Sequence, residues 1–409
     1  LHLMDEQEAI TKAQALLNRP GDANVSPLAV YRHAAKADSV QQRRPNVVLI
    51  MMESMSAKFM KHFGQSETLT PFLDSLYTRS ISFRNFYSAG IHTNHGLYAT
   101  LYSFPAMMKR NLMKGSVIPR YSGLPTVLKE NGYYNLFFMT HEGQYDNMNA
   151  FFRTNGYDEV FSQEDYPADK VVNSFGVQDD FLYDYAIPVL NQRAATGQPF
   201  FATLLSISNH PPYVIPPFFH PKTSEPETQI VEYADWALRQ FFEEARKQPW
   251  FDNTIFVLEG DHGKLVGDAE CELPESYNHI PLMIYSSRIQ PEEKTTFGGQ
   301  VDIQPTILGL LNIDYLQNNF GVDLLKEERP CMFYTADNMV VGRNDTLLYL
   351  YNYETQQELT YDIGNGKLNA VPMDDSFLPL KEYSFSMLQS AEFLVKHGKT
   401  LNSIPFTQQ

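Results

Sequence analysis

"NVVLIMMES", residues 46–54, sets six apolar side chains in a row and closes on Glu53 and Ser54. A short run that is apolar at every position has no wet face, as a strand buried on both sides of a parallel sheet requires. Similar apolar runs follow: YNLFFMT from Tyr134, PFFATLLSIS from Pro199, TIFVLEG from Thr254 and IPLMIYS from Ile280. Helical patterns lie between them. In IVEYADWALRQFFEEARK, the residues Ile230, Tyr233, Ala234, Ala237 and Phe241 recur at spacings of three and four, a stripe suited to covering a sheet. Strands alternating with helices predict an α/β fold around a mostly parallel sheet.

The chain has 409 residues, 43% hydrophobic and 20% charged, enough for one large domain or a large and a small one. Its formal charge is −16 and it carries no dense Lys/Arg block, which disfavours a nucleic-acid partner. A phosphorylated substrate would therefore need positive charge supplied locally. No run approaches the roughly 18 apolar residues of a membrane span. Cys271 and Cys331 are compatible with two buried thiols or one disulfide. The first residue is Leu1, with no signal-like segment after it, and the expectation is the soluble portion of something longer.

Three regions are expected. Residues 1–44 form a lead-in, with a helix in DEQEAITKAQALLNR broken by GDANVSP. Residues 45–329 hold the strands and helices described above. Residues 330–409 change texture to CMFYTA, TLLYLYNYE and QELTYDI, a smaller antiparallel appendage with a closing helix near Tyr383 to Lys396.

Several strands end in side chains able to do chemistry: Glu53-Ser54, His141-Glu142, Asn209-His210 and Asp261-His262-Gly263. Ligands of open parallel sheets bind beyond the carboxyl ends of the strands. Glu53 and Asp261 are hard oxygen donors and His262 a nitrogen donor, a mix that fits Mn²⁺, Mg²⁺ or Zn²⁺. Thr93 lies in SAGIHTNHG, residues 88–96, before an expected helix. As a ligand of the same ion it would gain the low pKa a nucleophile needs, with helix N–H groups ready for a phosphate or sulfate oxygen. The plainer reading of Thr93 is a helix N-cap. His210 either acts at the site or caps a turn before two prolines. His279 either lines the site or merely opens a strand. His92 and His95 support the site or face solvent, and His62 and His220 are read as surface residues.

Taken together, these residues resemble the alkaline phosphatase superfamily, and within it the lipoteichoic acid synthase and phosphoglycerol transferase branch of sulfatase-like proteins. The likeness runs from about Asn46 to Leu311 through NVVLIMMES, LTPFLDSLYTRSISFRNFYSAGIHTNHG, SISNHPPY, FVLEGDHG, HIPLMIY and VDIQPTIL. It implies an α/β/α sandwich with a small C-terminal antiparallel subdomain and one divalent metal, commonly Mn²⁺. By motif, Glu53, Thr93, Asp261 and His262 would be the ligands. Thr93 would also be the nucleophile, and His210 would hold or protonate the transferring phosphoryl group. Thr93 would attack a phosphodiester head group and release the lipid alcohol; an acceptor hydroxyl or water would then resolve the phospho-threonine. With water as acceptor the same site would make a phosphodiesterase or sulfuric ester hydrolase. A non-catalytic module of the same fold is a third reading, weakened because all five expected polar positions are present. The resemblance further implies a phospholipid or envelope glycan substrate. It implies too a place at the extracytoplasmic face of the bacterial cytoplasmic membrane, reached through membrane segments absent from this chain.

Two departures bear on substrate. HTNHG lacks the C/S-x-P-S-R context that yields formylglycine in classical sulfatases. The Trp and Arg that hold glycerol-phosphate in lipoteichoic acid synthases fall near Asp146 and Met148, in HEGQYDNMNAFFRTNGYD. Neither replaces an Arg clamp. His141 and Asp146, with Asn94 and His279, are the candidate substrate contacts, suited to a head group bearing hydroxyls or an amine.

Overall fold

A computed structural model describes residues 1–19, 29–38 and 44–402. The expected GDANVSP break lies outside these residues. All seven residues of the Asn46–Met52 strand are buried, and it pairs in parallel with Phe200–Leu205 on one side and Thr254–Gly260 on the other. This strand is central to an eight-stranded sheet. On its far sides lie Tyr134–Phe138 and Glu159–Phe161 in one direction, and Leu282–Tyr285, Ile81–Tyr87 and Glu292–Gly299 in the other. Leu282–Tyr285 runs antiparallel to both its neighbours, whereas every other pairing is parallel.

Alternation along one strand divides the core. Val47, Leu49 and Met51 join one apolar cluster, and Val48, Ile50 and Met52 join a second on the opposite face. The second is closed by helices Pro71–Tyr77, Asp179–Ala195 and Pro226–Ala245, the last through the expected Ile230, Tyr233, Ala234, Ala237 and Phe241. The first is closed by helices Thr93–Tyr102, Leu124–Glu130, Met148–Thr154 and Ile303–Leu310. The result is an α/β/α sandwich. Three of its strands escape the apolar-run criterion. ISFRNFY and EEKTTFGG carry polar residues on faces that stay partly wet, and Glu159–Phe161 is only three residues long.

Toward the C-terminus, Met332–Ala336, Met339–Arg343, Leu347–Asn352, Glu358–Asp362 and Asn369–Ala370 form a five-stranded antiparallel sheet. Helix Leu378–Lys396 packs on this sheet and against the lead-in helix Glu6–Leu17. Cys271 and Cys331 are both free thiols. Among the described residues no helix is long and apolar enough to cross a membrane.

Candidate active site

Register brings the first two acidic residues together. Met52 lies opposite Gly260 in the parallel pair, so the chain continues past both strands to set Glu53 beside Asp261. The Asp261 N–H donates to Met52 O at 2.9 Å, and the Glu53 N–H donates to Ser206 Oγ at 3.0 Å. Ser54 then turns through a left-handed conformation, φ 51°. Its N–H donates to Asp261 Oδ1 at 2.9 Å and its hydroxyl to Glu53 Oε1 at 2.8 Å. A non-glycine residue held in that region costs about 1–3 kcal/mol, strain that collects at functional sites.

Thr93 begins helix Thr93–Tyr102, and the N-cap position belongs to His92. Its hydroxyl does not close the helix. It lies 2.7 Å from Asp261 Oδ2 and 3.2 Å from Glu53 Oε2. Gly96 allows this approach, because a Cβ there would stand 2.1 Å from Asp261 O. The N–H groups of Thr93 and Asn94 have no partner among the described residues.

His262 supplies the nitrogen. Its Nδ1 donates to Gly263 O at 2.7 Å, which leaves Nε2 directed at Glu53 Oε1, 3.5 Å away, and Asp261 Oδ1, 3.7 Å away. Ligand atoms of Glu53, Asp261 and His262 all fall within 4.8 Å of one another. The cluster is electrostatically unfinished. Backbone N–H groups and the Ser54 and Thr93 hydroxyls bond these carboxylates, but among the described residues no Lys or Arg lies within ion-pair distance to balance them, and a neutral imidazole would present its lone pair to them. A divalent cation resolves all of these contacts with a hard-oxygen and nitrogen donor set, so the residues fit a metal. Titration reflects the same crowding. Burial and the Glu53 charge push the Asp261 carboxyl up, while burial opposes but does not outweigh the two carboxylates that push His262 up.

His210 stands half-buried on the turn after Phe200–Leu205, its Nδ1 donating to Pro211 O at 2.6 Å. Nε2 is thereby the atom left for chemistry. Phe175 packs on its ring at 4.0 Å, and Phe175 is fixed in turn by the Thr140 hydroxyl donating to its carbonyl at 2.9 Å. A row of rings runs from His210 through Phe175 and Tyr145 to His141, with centroids 4.0, 6.4 and 4.5 Å apart. Burial pulls the His141 imidazole down. Asp146 and Asn147 are consecutive left-handed residues, φ 51° and 62°. The Asp146 carboxylate is met by Lys114 at 2.9 Å.

The remaining candidates divide. Asn94 lies half-buried in the first turn of the Thr93 helix. His279 is engaged elsewhere: its Nε2 meets Arg84 O at 2.8 Å and its ring packs on Tyr87 and Phe63, with no described contact to the Glu53 cluster. His92 bonds Asp337 of the C-terminal sheet at 2.7 Å. His95 is buried beneath the loop, where burial pulls its imidazole down to about 4.

Sequence reasoning missed three contributors. Gln300 donates to Asp261 O at 2.8 Å and accepts from the Ala89 N–H at 2.9 Å, binding the two site loops together without any local signal. Phe175 sits on a short hairpin that no apolar run announces. Lys264, two residues past His262, donates to Asn209 Oδ1 at 2.6 Å and Tyr213 Oη at 3.0 Å.

An α/β/α sandwich with this cluster at the carboxyl ends of its strands has the alkaline phosphatase superfamily fold. The sulfatase family model matches residues 45–313, and the chain belongs to that family. It is 25% identical over 350 residues to lipoteichoic acid synthase 1 of Bacillus subtilis, covering 79% of this chain and 53% of that protein. It is 26% identical over 322 residues to phosphoglycerol transferase I of Xanthomonas campestris, covering 74% and 46%. The chain thus spans about half the length of these curated relatives. An alkaline phosphatase superfamily protein from Vibrio parahaemolyticus superposes with a TM-score of 0.86 at 27% identity, over 98% of both chains. The lipoteichoic acid synthase LtaP of Listeria monocytogenes has the same fold, with a TM-score of 0.75 at 20% identity over 95% and 98%.

Proposed function

We propose that this chain is the catalytic part of a metal-dependent phosphotransferase that acts on phospholipid-derived phosphodiester head groups through a phospho-threonine. The observation that carries the reading is Thr93 Oγ1 lying against both Glu53 and Asp261. Glu53, Thr93, Asp261 and His262 would hold one divalent ion, Mn²⁺ by family resemblance, with Mg²⁺ or Zn²⁺ compatible. When bound, the ion would lower the hydroxyl pKa and offset charge at phosphorus.

Thr93 Oγ1, its hydroxyl proton already released to solvent, forms a bond to phosphorus as the bond from phosphorus to the lipid alcohol breaks. His210 Nε2–H, in the imidazolium form, gives the leaving oxygen its proton. The unpartnered N–H groups of Thr93 and Asn94 suit the phosphoryl oxygens. In the second step an acceptor hydroxyl, of an envelope glycan or growing polymer, gives its proton to His210 Nε2 and bonds phosphorus as Thr93 leaves. Water as acceptor would turn the same residues to hydrolysis.

His141 and Asp146 we assign to the head group and Asn94 to the phosphoryl group, and His279, held by Arg84 and Tyr87, takes no substrate role. We take residues 45–329 as the catalytic unit, 1–44 as the lead-in and 330–409 as an appendage whose Asp337 reaches the nucleophile loop. Kinship with lipoteichoic acid synthases and phosphoglycerol transferases supports a reaction at the extracytoplasmic face of the cytoplasmic membrane. Mass spectrometry of products from a panel of phospholipids and soluble phosphodiesters tests the reading. A protein loaded with Mn²⁺ that releases neither diacylglycerol nor a transferred head group would refute it.

A further inference from the structure

Lys264 feels the Glu53 and Glu227 charges but touches neither carboxylate. The chain carries −16 overall, yet among the described residues this part-buried ammonium forms no ion pair. Its two described hydrogen bonds go to neutral oxygens, Asn209 Oδ1 and Tyr213 Oη. It stands over the Tyr213 and Phe59 rings at 4.8 and 5.5 Å, faces that attract a cation without neutralising it. Three other cations of the surrounding loops are paired: Lys114 with Asp146, Arg110 with Glu392 and Arg343 with Glu275. An ammonium has three donors, and two are used. A charge withdrawn from water is expensive unless it is paired, so an unpaired one held this firmly is kept for an anion.

Its position says which anion. Lys264 fixes Asn209, the residue before His210, and the Asn209 amide donates onward to Ser54 O at 3.3 Å. Ser54 in turn touches both Glu53 and Asp261. The ammonium therefore joins the His210 turn to the metal-binding carboxylates. Charge balance agrees. Two carboxylates offset a divalent ion, and a phosphodiester brings one further negative charge that the Lys264 ammonium can match.

We infer that Lys264 is the anion-binding residue of this site, donating its third N–H to a non-bridging oxygen of a phosphate ester held between Thr93 and His210. The inference rests on the phosphotransferase reading for the substrate's identity, but not for the anion itself. An acidic protein thereby obtains the positive charge that its overall field denies a phosphate.

The test uses the chain loaded with Mn²⁺ and inorganic phosphate as the probe, with Lys264→Met, Lys264→Gln and Lys264→Arg. Calorimetry gives the phosphate affinity and, separately, the Mn²⁺ affinity of each. Phosphate binding should weaken at least tenfold, 1.4 kcal/mol, in the Met and Gln variants, and stay within threefold of wild type in the Arg variant. Mn²⁺ affinity should stay within threefold throughout. Gln keeps a polar partner for Asn209 should Met fail to fold. Equal phosphate affinity in the neutral variants would overturn the inference, and so would parallel loss of Mn²⁺ or a wild type that ignores phosphate. Turnover of a phosphodiester is read apart from this. A chain that turns nothing over, yet loses phosphate with Lys264, would sustain the lysine and sink the enzyme reading.

Discussion

Thr93 Oγ1 lies 2.7 Å from Asp261 Oδ2, although 168 residues separate them. The hydroxyl is bonded to a carboxylate and not to its own helix, so the two roles open to this threonine give different results on mutation. Thr93→Ala should fold, with a stability change near the 0.5–2 kcal/mol range of a lost side-chain bond. Its turnover should fall by about 10³-fold or more, as when a nucleophile is removed. Peptide mass analysis of wild type quenched in turnover should show a Thr93 peptide carrying the phosphate and its head group. A folded Thr93→Ala protein with wild-type rate would exclude the nucleophile.

The unfinished charge pattern at Glu53, Asp261 and His262 predicts metal-dependent stability. Adding Mn²⁺ at 100 times its Kd should raise the unfolding free energy by about 2.7 kcal/mol. Asp261→Asn should weaken Mn²⁺ at least tenfold, since even residues supporting a metal ligand are worth about 10–100-fold. Calorimetry and thermal melts check both, and a melting curve indifferent to Mn²⁺ would count against the metal site.

Asp146 tests the head group. Its carboxylate pairs with Lys114 at 2.9 Å through one oxygen and keeps acceptor capacity for an amine, where an Arg clamp is lacking. That arrangement matches a zwitterionic ethanolamine head group better than glycerol-phosphate alone. Rates with phosphatidylethanolamine and phosphatidylglycerol should therefore favour the former in wild type, and Asp146→Ala should reduce the preference several-fold. Strict use of phosphatidylglycerol, unchanged by the substitution, would refute this assignment.

Far from the chemistry, buried Asp235 accepts the Phe72 and Leu73 N–H groups at 2.9 Å each. Burial dominates and pushes its carboxyl up to about 7. A raised folded pKa contributes stability that is complete below the unfolded value, about 3.9, and lost as pH climbs through about 7. Across that window the folded state holds up to one extra proton, a loss of at most about 1.4 kcal/mol per pH unit. Urea unfolding of the Mn²⁺-loaded chain at pH 5 and 7 should show a smaller fall in Asp235→Asn than in wild type. Equal falls would place the carboxyl pKa near its ordinary value.

How much of this protein could be read from sequence follows from the range of each interaction. Apolar runs are local, so NVVLIMM and TIFVLEG announce buried strands, and the stripe from Ile230 to Phe241 announces a covering helix. That Glu53, Asp261 and His262 were candidates followed from strand ends and a glycine-flanked turn, and family motifs added Thr93 to the set. Register was not local. Only the parallel pairing of Met52 with Gly260 sets Glu53 beside Asp261, and only the close packing at Gly96 brings Thr93 to both. The same limit hid Ile81–Tyr87, whose partly wet face breaks the apolar pattern, and Gln300, which ties the Ala89 and Asp261 loops together although they lie far apart in the chain. It hid the engagement of His279 by Arg84 and Tyr87, and of Asp146 by Lys114. Residue chemistry was written in the sequence; which charges meet, and which stay unpaired, was decided by tertiary packing, because electrostatic partners are chosen by distance in space and not along the chain.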